Sequence, residues 1–104
     1  MRRHYPLKIQ VNRRSFEKVI IDSHYEEKHR ASVNDEIILD LVKALDGLEF
    51  PVAEKDEEGF EYFKTDPLFV DAKPYRLIWL THPKETFIGV RNAFRRNYGK
   101  KVAK

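Results

Sequence analysis

Only one stretch of this chain carries a helical period, and most of what surrounds it alternates with the period of a strand. Val33, Ile37, Leu41 and Leu45 recur every fourth residue, flanked by Ile38 and Val42, which draws one apolar stripe along a helix. Ser32 reads as the N-cap. Asp35 follows three residues later, where a carboxylate meets exposed amides and the positive end of the helix dipole. Asp46-Gly47 ends the pattern, with Gly47 suited to the left-handed position after a helix. The spacing predicts a helix over 33–46, with Ile37, Ile38, Leu41, Val42 and Leu45 on a sheet.

The strands around it are read from alternation and turn residues. Leu7, Ile9 and Val11 alternate with Lys8 and Gln10 until Asn12-Arg13-Arg14-Ser15 interrupts them. Lys18-Val19-Ile20-Ile21-Asp22 is a short β-branched run, a second strand or the start of a helix with Phe16, with strand the preferred reading. After the helix, 49–53 and 60–64 flank a polar turn ending in Gly59, and Leu68-Phe69-Val70 is a short strand. Residues 74–81 form the most hydrophobic strand, expected at the centre, and 86–92 return from the turn at 82–85 as its hairpin partner. The expected fold class is α+β: one main helix packed on a mostly antiparallel sheet of about four to five strands. The 104 residues suit a single domain spanning 1–104, with a basic tail at about 97–104.

Charge is segregated along the chain. Residues 1–30 carry eight Lys/Arg against four Asp/Glu, 31–75 carry four against twelve, and 91–104 carry six against none. Such a distribution suggests faces of opposite sign, one suited to phosphates, although basic termini also serve solubility alone. Absence of cysteine removes disulfides, thiolate nucleophiles and thiolate metal sites. No apolar run has membrane-spanning length and no apolar segment follows the basic start, so no signal peptide and a cytoplasmic setting are expected.

Two constellations could carry chemistry. Segment 23–30 holds His24 and His29, with Lys28 and Arg30 beside the second. In a helix that spacing turns the rings about 140° apart, which does not suit a shared metal, whereas imidazole suits acid–base work near neutrality. Ordinary surface or capping histidines would give the same pattern. The second constellation is Arg76 on the hydrophobic strand with Arg91, Arg95, Arg96 and Tyr98 at the end of the sheet, where arginines can grip phosphate and aromatics can stack on bases. Phe60, Tyr62, Phe63, Phe69, Tyr75, Trp79 and Phe87 read as packing, and the acidic stretch 54–61 as a solvated turn. No cofactor motif is present.

The order of a short Ile20-Ile21-Asp22 strand, His24-x4-His29 with Lys28 before the second histidine, a helix, and a meander closing in Ile88-Gly89-Val90-Arg91-Asn92-Ala93-Phe94-Arg95-Arg96 resembles the barnase–EndoU–colicin–RelE-like ribonuclease superfamily. The likeness is to phage-type, polymorphic-toxin and BrnT-like members and covers roughly residues 16–98. It implies a RelE/barnase-like fold and metal-independent endoribonuclease activity in a toxin of a toxin–antitoxin or related conflict system. It further implies His24 and His29 as acid–base candidates with Lys28 or Arg30 as electrostatic partner, Arg76, Arg91 and Arg95 as phosphate binders, and Arg96 and Tyr98 beside them. The implied partners are RNA, including RNA on the ribosome, and a cognate antitoxin protein; no cofactor and no membrane is implied. A non-catalytic nucleic-acid- or partner-binding domain, such as a phage or mobile-element accessory protein, is the alternative from a different class.

Overall fold

The amino-terminal alternation runs further than its apolar residues suggest. In a computed structural model, which describes residues 2–96, β1 (Arg2–Val11) and β2 (Arg14–Asp22) form an antiparallel hairpin. It turns at Asn12 and Arg13, both at positive φ (53° and 64°), the mirror-image turn that matches the right-handed twist of paired strands. The basic tail at 97–104, including Tyr98, lies outside the described residues.

From β2 the chain enters a 3-10 turn (Ser23–Tyr25), which Asp22 caps by accepting the His24 amide, and continues into the one-turn helix α1 (Glu26–His29). The main helix, α2, spans Asp35–Lys43 rather than 33–46. Its cap is Asn34, not Ser32: the Asn34 side chain takes the Ile37 amide at 2.8 Å, while the Ser32 hydroxyl reaches back to the His29 carbonyl at 3.5 Å. Asp35 and Glu36 lie in the first turn and Lys43 in the last, in the sense the helix dipole favours. Gly47 holds φ 81° and gives its amide to Gln10, so the end of the helix is tied to β1.

The remaining strands are β3 (Glu54–Lys55), β4 (Glu61–Val70), β5 (Lys73–Thr81) and β6 (Phe87–Arg95). They complete a six-stranded open sheet in the order β1-β2-β6-β5-β4-β3, one strand more than the expected four to five. All neighbours are antiparallel except β2 and β6, and β5 with β6 forms the centre of the sheet. Expected strand 49–53 does not form. Its backbone turns instead to Asn12, whose amide bonds the Leu48 carbonyl and whose side chain takes the Phe50 amide, and contact with β4 begins only at the Ala53 amide, which bonds the Tyr62 carbonyl, and at Glu54–Lys55. The expected short strand at Leu68–Val70 is the far end of β4, after a register shift between Thr65 and Leu68.

The core lies between α2 and one face of the sheet. Ile38, Leu41, Val42 and Leu45 are wholly buried and Ile37 is half-buried, against Val19, Ile21, Phe63, Leu77, Trp79, Ile88 and Val90. Trp79 stacks on Phe63 at 4.0 Å, meets Phe50 edge-on, and donates its indole N–H to Thr65. Phe69, read as packing, is 59% exposed instead. At the rim Asp35 accepts two bonds from Arg3 (2.5 and 2.7 Å) and the hydroxyls of Tyr5 (2.5 Å) and Tyr25 (2.7 Å). These bonds, Arg3 foremost, hold the Asp35 carboxyl at about 2. They lock the start of α2 onto β1 and the 3-10 turn.

Among the described residues the other face of the sheet carries no helix of comparable length. Strand register places His4, Ile20, Gly89, Leu80 and Tyr62 in one row across five strands, all alternating with core residues. Pro6, Lys18 and Phe87 form the next row. Among the described residues no helix is long and apolar enough to cross a membrane.

Candidate functional site

A cleft of about 560 Å³ opens on this second face, within the usual range for ligand sites. Its apolar floor is the row Ile20, Gly89 and Leu80, with Tyr62 and Phe87 beside it. One wall is the 3-10 turn and α1, which supply Ser23, His24 and Glu27; the opposite wall is the loop before β4, which supplies Glu58 and Phe60. Arg2, Asp22 and Arg91 complete the lining. The parallel pairing of β2 with β6 is what assembles it. Their carboxyl ends lie side by side, so the turn leaving β2 sets His24 near Arg91 despite their distance in sequence.

Each polar group has a defined setting. The His24 Nδ1 lies 3.4 Å from the Glu27 carboxylate, which leaves Nε2 as the available ring nitrogen. The Arg91 guanidinium sits 5.8 Å from the centre of the Tyr62 ring. The Tyr62 hydroxyl donates to Asp56 at 2.9 Å, and this bond raises the pKa of the phenol. Among the described residues neither Arg2 nor Arg91 forms an ion pair with a carboxylate. Three carboxylates line the cleft against two arginines and a histidine, so it is a mixed acid–base environment and not a plain cationic groove.

The other site residues expected from sequence lie elsewhere. His29 stacks on Phe94 with ring centres 5.0 Å apart; burial first, then Lys28 and His24, lower its pKa. Arg76 donates through Nε to Asp66 at 2.6 Å, and Arg96 reaches the same carboxylate at 3.5 Å. Both guanidinium groups lie about 6 Å from the Phe94 ring centre. His29, Phe94, Arg76, Arg96 and Asp66 thus form a second cluster at the far end of β6. Lys28, Arg30 and Arg95 are exposed and outside the lining. Of the expected residues the cleft gathers His24 and Arg91.

The cleft also uses residues to which the sequence gave no chemical role: Arg2, Asp22, Glu27 and Glu58, with Phe60, Tyr62 and Phe87 that had read as packing. A signal was available for Asp22 and Glu27, which flank His24 in sequence. None was available for Arg2 or Glu58, because only pairing across the sheet brings them in. Among the described residues no group of three or more His, Asp or Glu side chains is placed to hold a metal ion. Comparison of the chain with protein-family models, curated proteins and solved structures gives no match in any of the three.

Proposed function

We propose that this protein is a metal-independent endoribonuclease that holds an RNA strand across the open sheet face and cleaves it in the cleft. The observation that carries this reading is the convergence of His24 with Arg91 and Arg2 opposite the Glu58 wall. RNA contains its own nucleophile, so the protein need only move protons and stabilise charge. Glu58 takes the proton of the 2′-hydroxyl as its oxygen attacks phosphorus. Protonated His24, oriented through Glu27, gives a proton to the departing 5′-oxygen. Arg2 and Arg91 bind the non-bridging oxygens as negative charge gathers on them. The products are a 2′,3′-cyclic phosphate and a 5′-hydroxyl. Half-exposed Ile20, Leu80 and Phe87 supply an apolar floor for a base beside the reacting phosphate.

The likeness to RelE- and BrnT-type toxins supports a place in a toxin–antitoxin or related conflict system, with an antitoxin covering the open face. The test is incubation of purified protein with mixed RNA in EDTA, followed by analysis of the new ends. His24→Ala is expected to lower the rate about 10²–10⁴-fold with RNA affinity retained. His29→Ala should act on stability, through its stack on Phe94. DNA, lacking the attacking hydroxyl, should be spared. Binding without cleavage by wild-type protein would instead favour a non-catalytic nucleic-acid-binding domain.

A further inference from the structure

The loop that carries Glu58 is the exposed turn between β3 and β4, as expected from its composition, and it is hydrogen-bonded within itself. Asp56 accepts the amides of Glu58 (2.9 Å) and Phe60 (3.0 Å) on one carboxylate oxygen and the Tyr62 hydroxyl on the other. Its own amide bonds the Phe60 carbonyl, and the Gly59 amide returns to the Asp56 carbonyl. That closes the loop on itself. Tyr62 and the β3–β4 pairing tie the loop to β4; they do not tie it to the turn between β5 and β6.

His82, in the turn between β5 and β6, supplies a link between the two. The Lys84 amide donates to its Nδ1 at 3.1 Å, so Nδ1 carries no proton. Nε2 therefore carries it and donates to the Glu58 carbonyl at 2.9 Å. Phe60 packs edge-on against the same ring at 4.8 Å. Gly59 lets the ring approach: it holds φ 94°, and a Cβ there would meet Nε2 at 3.2 Å. The turn is itself anchored, since Arg14 donates to the carbonyls of His82 and Glu85.

We propose that His82 is a positioning residue, which bridges the turn after β5 to the loop 56–60 and so holds Glu58 and Phe60 as a wall of the cleft. Its kinetic consequence rests on the ribonuclease reading above; its structural consequence does not. Displacing a reacting group by about 1 Å can cost on the order of 10²-fold in rate. Loss of this one tie is therefore enough to change the turnover of the site.

Two substitutions separate the two ends of the bridge. His82→Asn keeps an acceptor where Nδ1 stands, preserving the turn, and loses the reach to Glu58. His82→Gln keeps a donor where Nε2 stands. Amide hydrogen exchange at Glu58, Gly59 and Phe60, with turnover of an RNA substrate, is measured on the full chain. Expected for His82→Asn is exchange about tenfold or more faster at those amides, kcat reduced about 10- to 100-fold and KM little changed. His82→Gln should restore both. Unchanged exchange in His82→Asn would overturn the proposal, because Asp56 and Tyr62 would then suffice to hold the loop. Accelerated exchange with unaltered kcat would overturn its catalytic half. If wild-type protein cleaves no RNA, the ribonuclease reading fails while the exchange measurements still decide the role of His82.

Discussion

At the scale of single residues, Asp35 gathers four hydrogen bonds outside the cleft, from three side chains. It joins the main helix to β1 and to the 3-10 turn that carries His24, through Arg3, Tyr5 and Tyr25. Hydrogen bonds to a charged group contribute roughly 1.5–3 kcal/mol, so Asp35→Asn should destabilise measurably at pH 7. Its folded-state value of about 2 lies below the ordinary value of about 3.9 for an aspartate. The sign follows from that order: the stabilisation is complete above about pH 4 and is lost as pH falls towards 2. Thermal melts of wild type and Asp35→Asn should differ near neutrality and converge in acid; a difference that persists at pH 2 would refute the assignment. In the sequence Asp35 reads only as a helix-start carboxylate, because its partners come from other elements. Likewise His24 and His29 look equivalent in sequence. They part only because one lies in the 3-10 turn at the cleft and the other stacks on Phe94.

At the scale of elements, what could be read was what repeats locally. The stripe Ile37, Ile38, Leu41, Val42 and Leu45 does meet the sheet, and β2, β5 and β6 fall where the β-branched and aromatic runs lie. The ends were less legible, since Ser32 and Asn34 are both good caps and only geometry chooses between them. Asn34→Ala should therefore cost about 1 kcal/mol, whereas Ser32→Ala should cost less. Segment 49–53 looked like a strand by composition, but Asn12 captures its backbone, a non-local competition invisible to local pattern. The turn between β4 and β5 makes a further prediction. Asp71 and Ala72 both sit at positive φ (52° and 63°), and alanine has no side-chain group to offset the strain. Ala72→Gly should stabilise by up to about 1 kcal/mol after its entropic cost, visible as a melting temperature raised by a few degrees. Parallel pairing of β2 with β6 had no sequence signal, and it is the contact that builds the cleft.

At the scale of the whole molecule, the sheet divides the protein into two unlike sides. One is sealed by α2; the other presents Arg2, Lys18, Lys64 and Arg91 around half-exposed Ile20, Ile78, Leu80 and Phe87. Cations around an apolar floor suit a single strand of nucleic acid, whose phosphates and bases are both accessible. The charge segregation legible in sequence is therefore only partly spatial. Acidic Asp22, Glu27 and Glu58 enter the cleft, and Asp66 neutralises part of the field of Arg76 and Arg96. That distinction can be measured through counterion release. Each phosphate contact to a single strand contributes about 0.7 to the slope of log affinity against log salt. Binding of a labelled single-stranded RNA, followed by anisotropy in a His24→Ala background so that the strand stays intact, should weaken steeply with salt. Arg2→Ala and Arg91→Ala should each reduce the slope by about 0.7, and Arg76→Ala by less, because its Nε is already bound to Asp66 at 2.6 Å. A salt-independent affinity would remove RNA from the open face altogether. Equal slopes for wild type and Arg91→Ala, with a large change for Arg76→Ala, would move the strand from the cleft to the Phe94 end of β6.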